Sequence, residues 1–235
     1  MADKSPVAAD SAPLFQDRAR ELIRELSTLS LDEIQTLYKT SDSLTAKTRE
    51  QIQNFDAAPE TPALFAFRGE AFKTLDADSL PPDAVAFANE HLLIFSGLYG
   101  LVRPLDGIRP YRLDFNTPLK VAGRGLKAVW KADLNARMAK VLAPGETLVN
   151  LASAEYSSIL TEPGVREAMV EIQFRERTGN KLKNLAIRAK QARGAMARHI
   201  ICRGLTRAED LKSAEVDGYT FDPSLSSDRE WFFVR

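Results

Sequence analysis

The chain has 235 residues, with 32 lysines and arginines against 32 aspartates and glutamates, 44% hydrophobic and 8% aromatic residues. That mix excludes a disordered or collagen-like chain, and no run approaches the roughly 18 consecutive apolar residues that a membrane-spanning helix needs. One cysteine, Cys202, excludes an internal disulfide framework and a multi-cysteine zinc site. With His91 and His199 as the only histidines, no metal site and no cofactor are expected.

The opening MADKSPVAADSAP has no basic flank leading into an apolar run, so a cytoplasmic location is expected. The neutral total hides a local imbalance. Residues 1–90 carry 9 basic and 16 acidic side chains, and residues 91–174 carry 10 and 8. Residues 175–207 carry ten basic side chains and a single acid, Glu176. Such a block is a candidate site for polyanions; a solvated basic helix face, neutralised by the acidic N-terminal part, is the alternative.

In chain order, Phe15, Ala19, Leu22, Ile23, Leu26 and Leu29 recur at three-and-four spacing and predict a helix from about Leu14 to Leu29. Ser30 with Glu33 fits a capping box that opens a second helix, and a third is expected over Ser43–Phe55. ALFAF at 63–67 reads as a strand, and Pro82 as the first turn of a helix reaching His91, which would cap its end. The run from Leu92 to Phe115 reads as strand, turn and extended chain.

Leu126 to Leu142 predicts a helix of roughly 17 residues, stopped by Pro144 and Gly145. Strands are expected at 147–152, 169–174 and 181–187, the last two joined in a hairpin at Gly179–Asn180. A helix should follow from Ala189 to Arg203 with Gly204 as its stop, then a second capping box at Thr206 and Glu209, then a closing hairpin of GYTFD with EWFFV. Together these predict one α+β domain spanning 1–235, with a mixed or mainly antiparallel sheet.

Three segments hold candidate chemistry. In the first, Gly97 and Gly100 bracket Leu-Tyr and precede Arg103, Arg109 and Arg112 within a proline-stiffened stretch. Glycine N–H groups and arginines can meet phosphate oxygens, yet an ordinary turn whose cations pair with Asp106 and Asp114 gives the same pattern. In the second, AKQARGAMAR, Lys190 and Arg193 lie within about 60° on a helix whose apolar stripe faces elsewhere. Gly194 inside that helix costs roughly 1 kcal/mol relative to alanine, which points to a close contact. In the third, a strand ends near Ser153, Glu155 and Tyr156, read either as a site or as a helix start capped by Ser153. Cys202 reads as a small buried hydrophobe, and His199 as part of the core stripe.

FRGE at 67–70, SGLYGLVRPLD and PYRL between 96 and 113, NLASAEY at 150–156 and AKQARGAMAR at 189–198 together resemble the YaaA family of peroxide-stress proteins. The resemblance implies a single-domain α+β fold with an irregular sheet flanked by helices and a helix-hairpin-helix-like element. It also implies a basic cleft that binds duplex DNA, and a role in limiting damage from intracellular iron and peroxide. Members begin with an apolar strand leading into Ser-Pro-Ala-Lys-Thr, whereas this sequence opens Met-Ala-Asp-Lys-Ser-Pro and enters its first helix; the opening strand and its lysine are expected to be missing.

Two functional expectations follow. The first is a monomeric, cytoplasmic stress protein that binds double-stranded DNA through phosphate contacts from Arg103, Arg109, Arg112, Lys190, Arg193 and Arg198. The second is an enzyme acting on a nucleic acid or small phosphorylated substrate, with Glu155 and Tyr156 as an acid–base pair and the same cations as an anion clamp.

Overall fold

The computed structural model describes residues 7–179 and 181–235. Three helices lead, α1 (Gln16–Ser27), α2 (Leu31–Tyr38) and α3 (Asp42–Gln53), followed by β1 (Thr61–Pro62), α4 (Ala63–Ala66), α5 (Glu70–Leu75) and α6 (Pro82–His91). The short strands β2 (Ile94–Ser96), β3 (Gly100–Val102), β4 (Gly107–Ile108), β5 (Lys120–Val121) and β6 (Arg124–Gly125) precede the long α7 (Leu126–Val141). Next come β7 (Leu148–Asn150), α8 (Ala154–Ser157), α9 (Pro163–Ala168), β8 (Met169–Thr178), β9 (Lys181–Lys183) and α10 (Ala186–Arg203). The chain continues through β10 (Glu215–Val216), β11 (Tyr219–Phe221) and β12 (Glu230–Val234). The class is α+β, as the sequence predicts. No helix among the described residues is long and apolar enough to cross a membrane.

The chain gathers into two compact units, one formed by residues up to Ala66 with Leu92–Leu134, the other by Phe67–His91 with Asn135–Arg235. In the first unit, α1 buries Ala19, Leu22, Ile23 and Leu26, the stripe that its sequence spacing marks. The capping box of α2 is present: Ser30 Oγ accepts from the Glu33 N–H at 3.2 Å, and the Glu33 carboxylate accepts from the Ser30 N–H at 2.7 Å. Trp130 of α7 is fully buried and donates its indole N–H to the Gly97 carbonyl at 3.0 Å, with the Phe15 ring edge-on at 5.5 Å. The strands of this unit form three two-stranded ribbons, β1–β4, β2–β3 and β5–β6.

The second unit is organised by a mixed sheet in the order β10–β11–β12–β8–β7, with β9 paired to the outer half of β8. The β7–β8 and β8–β12 pairs are parallel and the others antiparallel. Val170, Ile172 and Phe174 of β8 pack with Trp231 and Phe233 of β12 and with Ala189, Ala192 and Met196 of α10. The small side chains on α10 also admit α5: a Cβ on Gly194 would stand 1.8 Å from the Ala71 carbonyl oxygen. This is the close contact that a glycine inside a helix implied.

Several elements differ from the sequence reading, each for a local reason. ALFAF is not a strand: extended pairing stops at Pro62, which holds the residues before it in the β region, and Ala63–Ala66 turn into α4. The 181–187 strand ends at Lys183, and α10 starts at Ala186 rather than Ala189. Its hairpin with β8 is present through the pairs Glu176–Lys183, Arg177–Leu182 and Thr178–Lys181, while Asn180 of the expected turn lies outside the described residues.

Thr206 and Glu209 form no capping box, because the chain there enters a 3-10 turn over Ala208–Ser213 with Arg207 in the cap position. Ser153 does occupy the N-cap position of α8, without a side-chain hydrogen bond. His91, at the end of α6, sets its ring 4.2 Å from that of Phe87, tilted by 33°. Cys202 is exposed, not buried: it lies two turns past Met196 and off the apolar stripe. The closing hairpin is formed by β11 and β12.

Candidate functional site

In the first unit, the glycines of SGLYG serve packing. A Cβ on Gly97 would stand 2.2 Å from the Leu113 carbonyl oxygen, and one on Gly100, at φ +74°, would stand 2.7 Å from the Trp130 ring. Ser96 Oγ accepts from the Tyr99 N–H at 2.8 Å and pairs with the Tyr111 hydroxyl at 2.7 Å. Burial pushes both phenols up, Tyr99 to about 12.

The three arginines of this segment have partners. Arg103 reaches the buried Asp106 at 3.4 Å, and Asp106 also accepts from the Arg103 N–H and from Ser11 Oγ, each at 2.7 Å. Arg109 donates to the Ala58 carbonyl at 3.1 Å, pairs with Glu60 at 2.9 Å and lies 5.7 Å above the Phe55 ring; its side chain is 17% exposed. Arg112 lies 5.9 Å from the centre of the Tyr38 ring.

In the second unit, Arg198 donates one Nη to the carbonyls of both Leu75 and Asp76 at 2.8 Å, closing the C-terminus of α5. Arg193 is half-buried, and its Nε has no hydrogen-bond partner. Burial and the neighbouring Arg175 guanidinium both hold the Arg193 pKa below the usual arginine range, with the Glu171 carboxylate opposing them. Glu171 is held by Asn150 at 2.5 Å and by Arg166 at 3.1 Å. Lys190 is exposed and contributes to holding the Glu70 pKa down, behind the hydrogen bonds from Lys73 and Gln191 to that carboxylate. Glu155 is half-buried in α8 and makes no ion pair among the described residues; Tyr156 is also half-buried.

Lys181, Lys183 and Arg188 were not singled out in the sequence, whereas Lys190 was. Every residue from Lys181 to Arg188, the β9 strand and the entry into α10, is exposed. Lys181, Lys183, Arg188 and Lys190 enter no ion pair or side-chain hydrogen bond among the described residues. The first turn of α10 carries no acidic residue, and its N-cap, Leu185, provides no side-chain acceptor. The ten-cation block was the available signal, but its division into paired and unpaired cations depends on the tertiary structure. No cluster of three or more metal-ligating side chains exists among the described residues.

This is an α+β protein in which Lys181, Lys183, Arg188 and Lys190, on one hairpin and one helix start, are exposed and form no ion pair among the described residues. The chain belongs to the YaaA family of peroxide stress proteins, whose family profile it matches over residues 1–225. It is 37% identical over 223 residues to a UPF0246 protein of Desulforapulum autotrophicum, covering 94% of this chain and 87% of the relative. A UPF0246 protein of Cupriavidus metallidurans is 36% identical over 239 residues, covering 97% and 92%. One from Caulobacter vibrioides is 37% identical over 231 residues, covering 96% and 90%.

Proposed function

We propose that this protein acts in the cytoplasm as a monomeric, duplex-DNA-binding member of the peroxide stress response, holding DNA mainly through phosphate contacts and limiting iron- and peroxide-driven damage to it. The observation that carries this reading is the exposed, unpaired set Lys181, Lys183, Arg188 and Lys190, within a segment where cations outnumber acids ten to one. Free lysines and arginines of this kind exchange condensed counterions for phosphates, which makes binding strong at low salt and weakly dependent on sequence.

Arg193 extends the set. Its Nε has no hydrogen-bond partner and the Arg175 guanidinium is close by, so a phosphate would offer it both an acceptor and relief from like-charge repulsion. Arg103 and Arg112 are further contacts in this reading, while Arg109 and Arg198, held by internal carbonyls, support the segments that carry the others.

The test is fluorescence anisotropy of a labelled duplex between low and physiological salt. The logarithm of affinity should fall linearly with the logarithm of salt concentration, by about 0.9 per phosphate neutralised. Lys181→Glu/Lys183→Glu and Lys190→Glu/Arg193→Glu should each weaken binding and flatten that slope. A binding curve indifferent to salt would contradict the reading. The enzyme reading through Glu155 and Tyr156 has less behind it, since among the described residues no ion pair ties Glu155 to these cations.

A further inference from the structure

Six large apolar side chains are exposed among the described residues, and three of them, Leu182, Leu185 and Ile187, fall within six residues of the basic arm. They are 37%, 42% and 63% exposed. Leu182 shares one face of the hairpin with Arg177, whereas Lys181 and Lys183 point to the other face. Ile187 and Lys190, three residues apart, share a face of the first turns of α10. The arm thus presents aliphatic side chains among four cations that form no ion pair among the described residues, although Glu176 lies opposite Lys183 in the hairpin and Glu70 lies near enough to Lys190 for its charge to be felt. A chain that only tracked phosphates would gain nothing from exposing those three side chains to water.

We propose that Leu182, Leu185 and Ile187 form an apolar wedge that enters the base stack while Lys181, Lys183, Arg188 and Lys190 hold the flanking phosphates, so that the arm selects duplex DNA interrupted by a nick or short gap. This inference rests on the DNA-binding reading above. Apolar side chains inserted between base steps must first unstack them, and that cost falls where the backbone is broken and the step is already loosened. Charge complementarity makes a polyanion the occupant, and flat aliphatic contact with bases explains why the cations are interleaved with leucine and isoleucine instead of with serine or glutamine.

The experiment uses the full chain and three labelled probes of one sequence: an intact duplex, the same duplex nicked at its centre, and the same duplex with a one-nucleotide gap. A 2-aminopurine beside the interruption reports unstacking directly. The wild type should bind the gapped probe about tenfold tighter than the intact one and raise the 2-aminopurine fluorescence. Leu182→Ser/Leu185→Ser/Ile187→Ser, altered only at exposed positions, should bring that ratio near one and silence the fluorescence change while keeping intact-duplex affinity and its salt slope.

Equal binding of all three probes with no fluorescence change would overturn the wedge and leave phosphate binding standing. No binding to any probe would remove the DNA reading itself, and the wedge with it. Co-sedimentation with phosphatidylglycerol vesicles that depends on the same three side chains, without any effect on DNA, would assign the arm to a lipid surface and overturn the proposal.

Discussion

Gly194 of α10 lies so close to Ala71 of α5 that the place where its Cβ would sit is 1.8 Å from the Ala71 carbonyl oxygen and 2.2 Å from the Thr74 hydroxyl. That hydroxyl donates to the Gln191 carbonyl at 2.8 Å, so the two helices are joined by backbone contact and a hydrogen bond at one point. Gly194→Ala would gain roughly 1 kcal/mol of helix propensity and lose more to the clash, because one obstacle is backbone and cannot rotate away. A net destabilisation of about 2 kcal/mol or more is expected in chemical denaturation. A variant as stable as the wild type would show that α5 can move aside.

Arg109 should prove a scaffold residue. Its side chain bridges the Ala58 carbonyl, the Glu60 carboxylate and the Phe55 ring. Arg109→Ala should cost about 2 kcal/mol, since hydrogen bonds to charged groups contribute about 1.5–3 kcal/mol each and neighbouring ones overlap. Arg109→Lys should recover only part of that, because an ammonium cannot make the planar contacts together. Thermal melts report the loss, and under the proposed function the salt dependence of duplex binding should stay that of the wild type. A flattened salt slope in a fully stable Arg109→Ala would return this residue to the phosphate contacts.

His199 gives the stability a pH dependence near neutrality. Burial first, and the Arg203 guanidinium second, hold its pKa below the ordinary value of 6.5. The unfolded chain then takes up the proton at a higher pH than the folded one, so its contribution is fully present above about pH 6.5 and lost as pH falls below it. His199→Gln should narrow the difference in denaturation midpoint between pH 7.5 and pH 5.5. An unchanged difference would show that other groups carry the acid sensitivity.

Tyr219 acts at the other end of the scale. Burial, and then its hydrogen bond to the Glu176 carboxylate at 2.9 Å, raise its pKa to about 12 from 10.0. A raised acid is harder to ionise folded than unfolded, so its contribution is present below pH 10 and lost between pH 10 and about 12. Tyr219→Phe should lower stability at pH 8 by about 1 kcal/mol through the lost hydrogen bond. It should also soften the fall in stability between pH 10 and 12, and remove a late-ionising phenol from the absorbance titration near 295 nm.

What the sequence discloses divides by distance along the chain. The Ser30–Glu33 cap and the α1 stripe depend on neighbours three or four residues away, and the β11–β12 hairpin joins partners within about fifteen residues, so all three can be read directly. ALFAF could not, because a five-residue apolar run suits a buried helix turn as well as a strand. The roles of Arg109 and Arg198 were hidden for another reason: their partners lie 51 residues and more than 120 residues away in the chain. Both arginines look the same in sequence as Arg188, which has no partner among the described residues. The candidate site was therefore legible as a block of charge and illegible as a surface.

The position of β12 sets a schedule for making the protein. Glu230 of β12 pairs in parallel with Glu171 of β8, a partner roughly sixty residues earlier in the chain. At about 5–20 residues per second, β8 waits several seconds on the ribosome before the strand that covers its long edge exists. During that interval Val170, Ile172 and Phe174 have α10 to fold against but no Trp231 or Phe233. Contacts of such long sequence separation form late and slowly, so the half-built sheet is the stage at which this chain is most exposed to mispairing with another copy of itself.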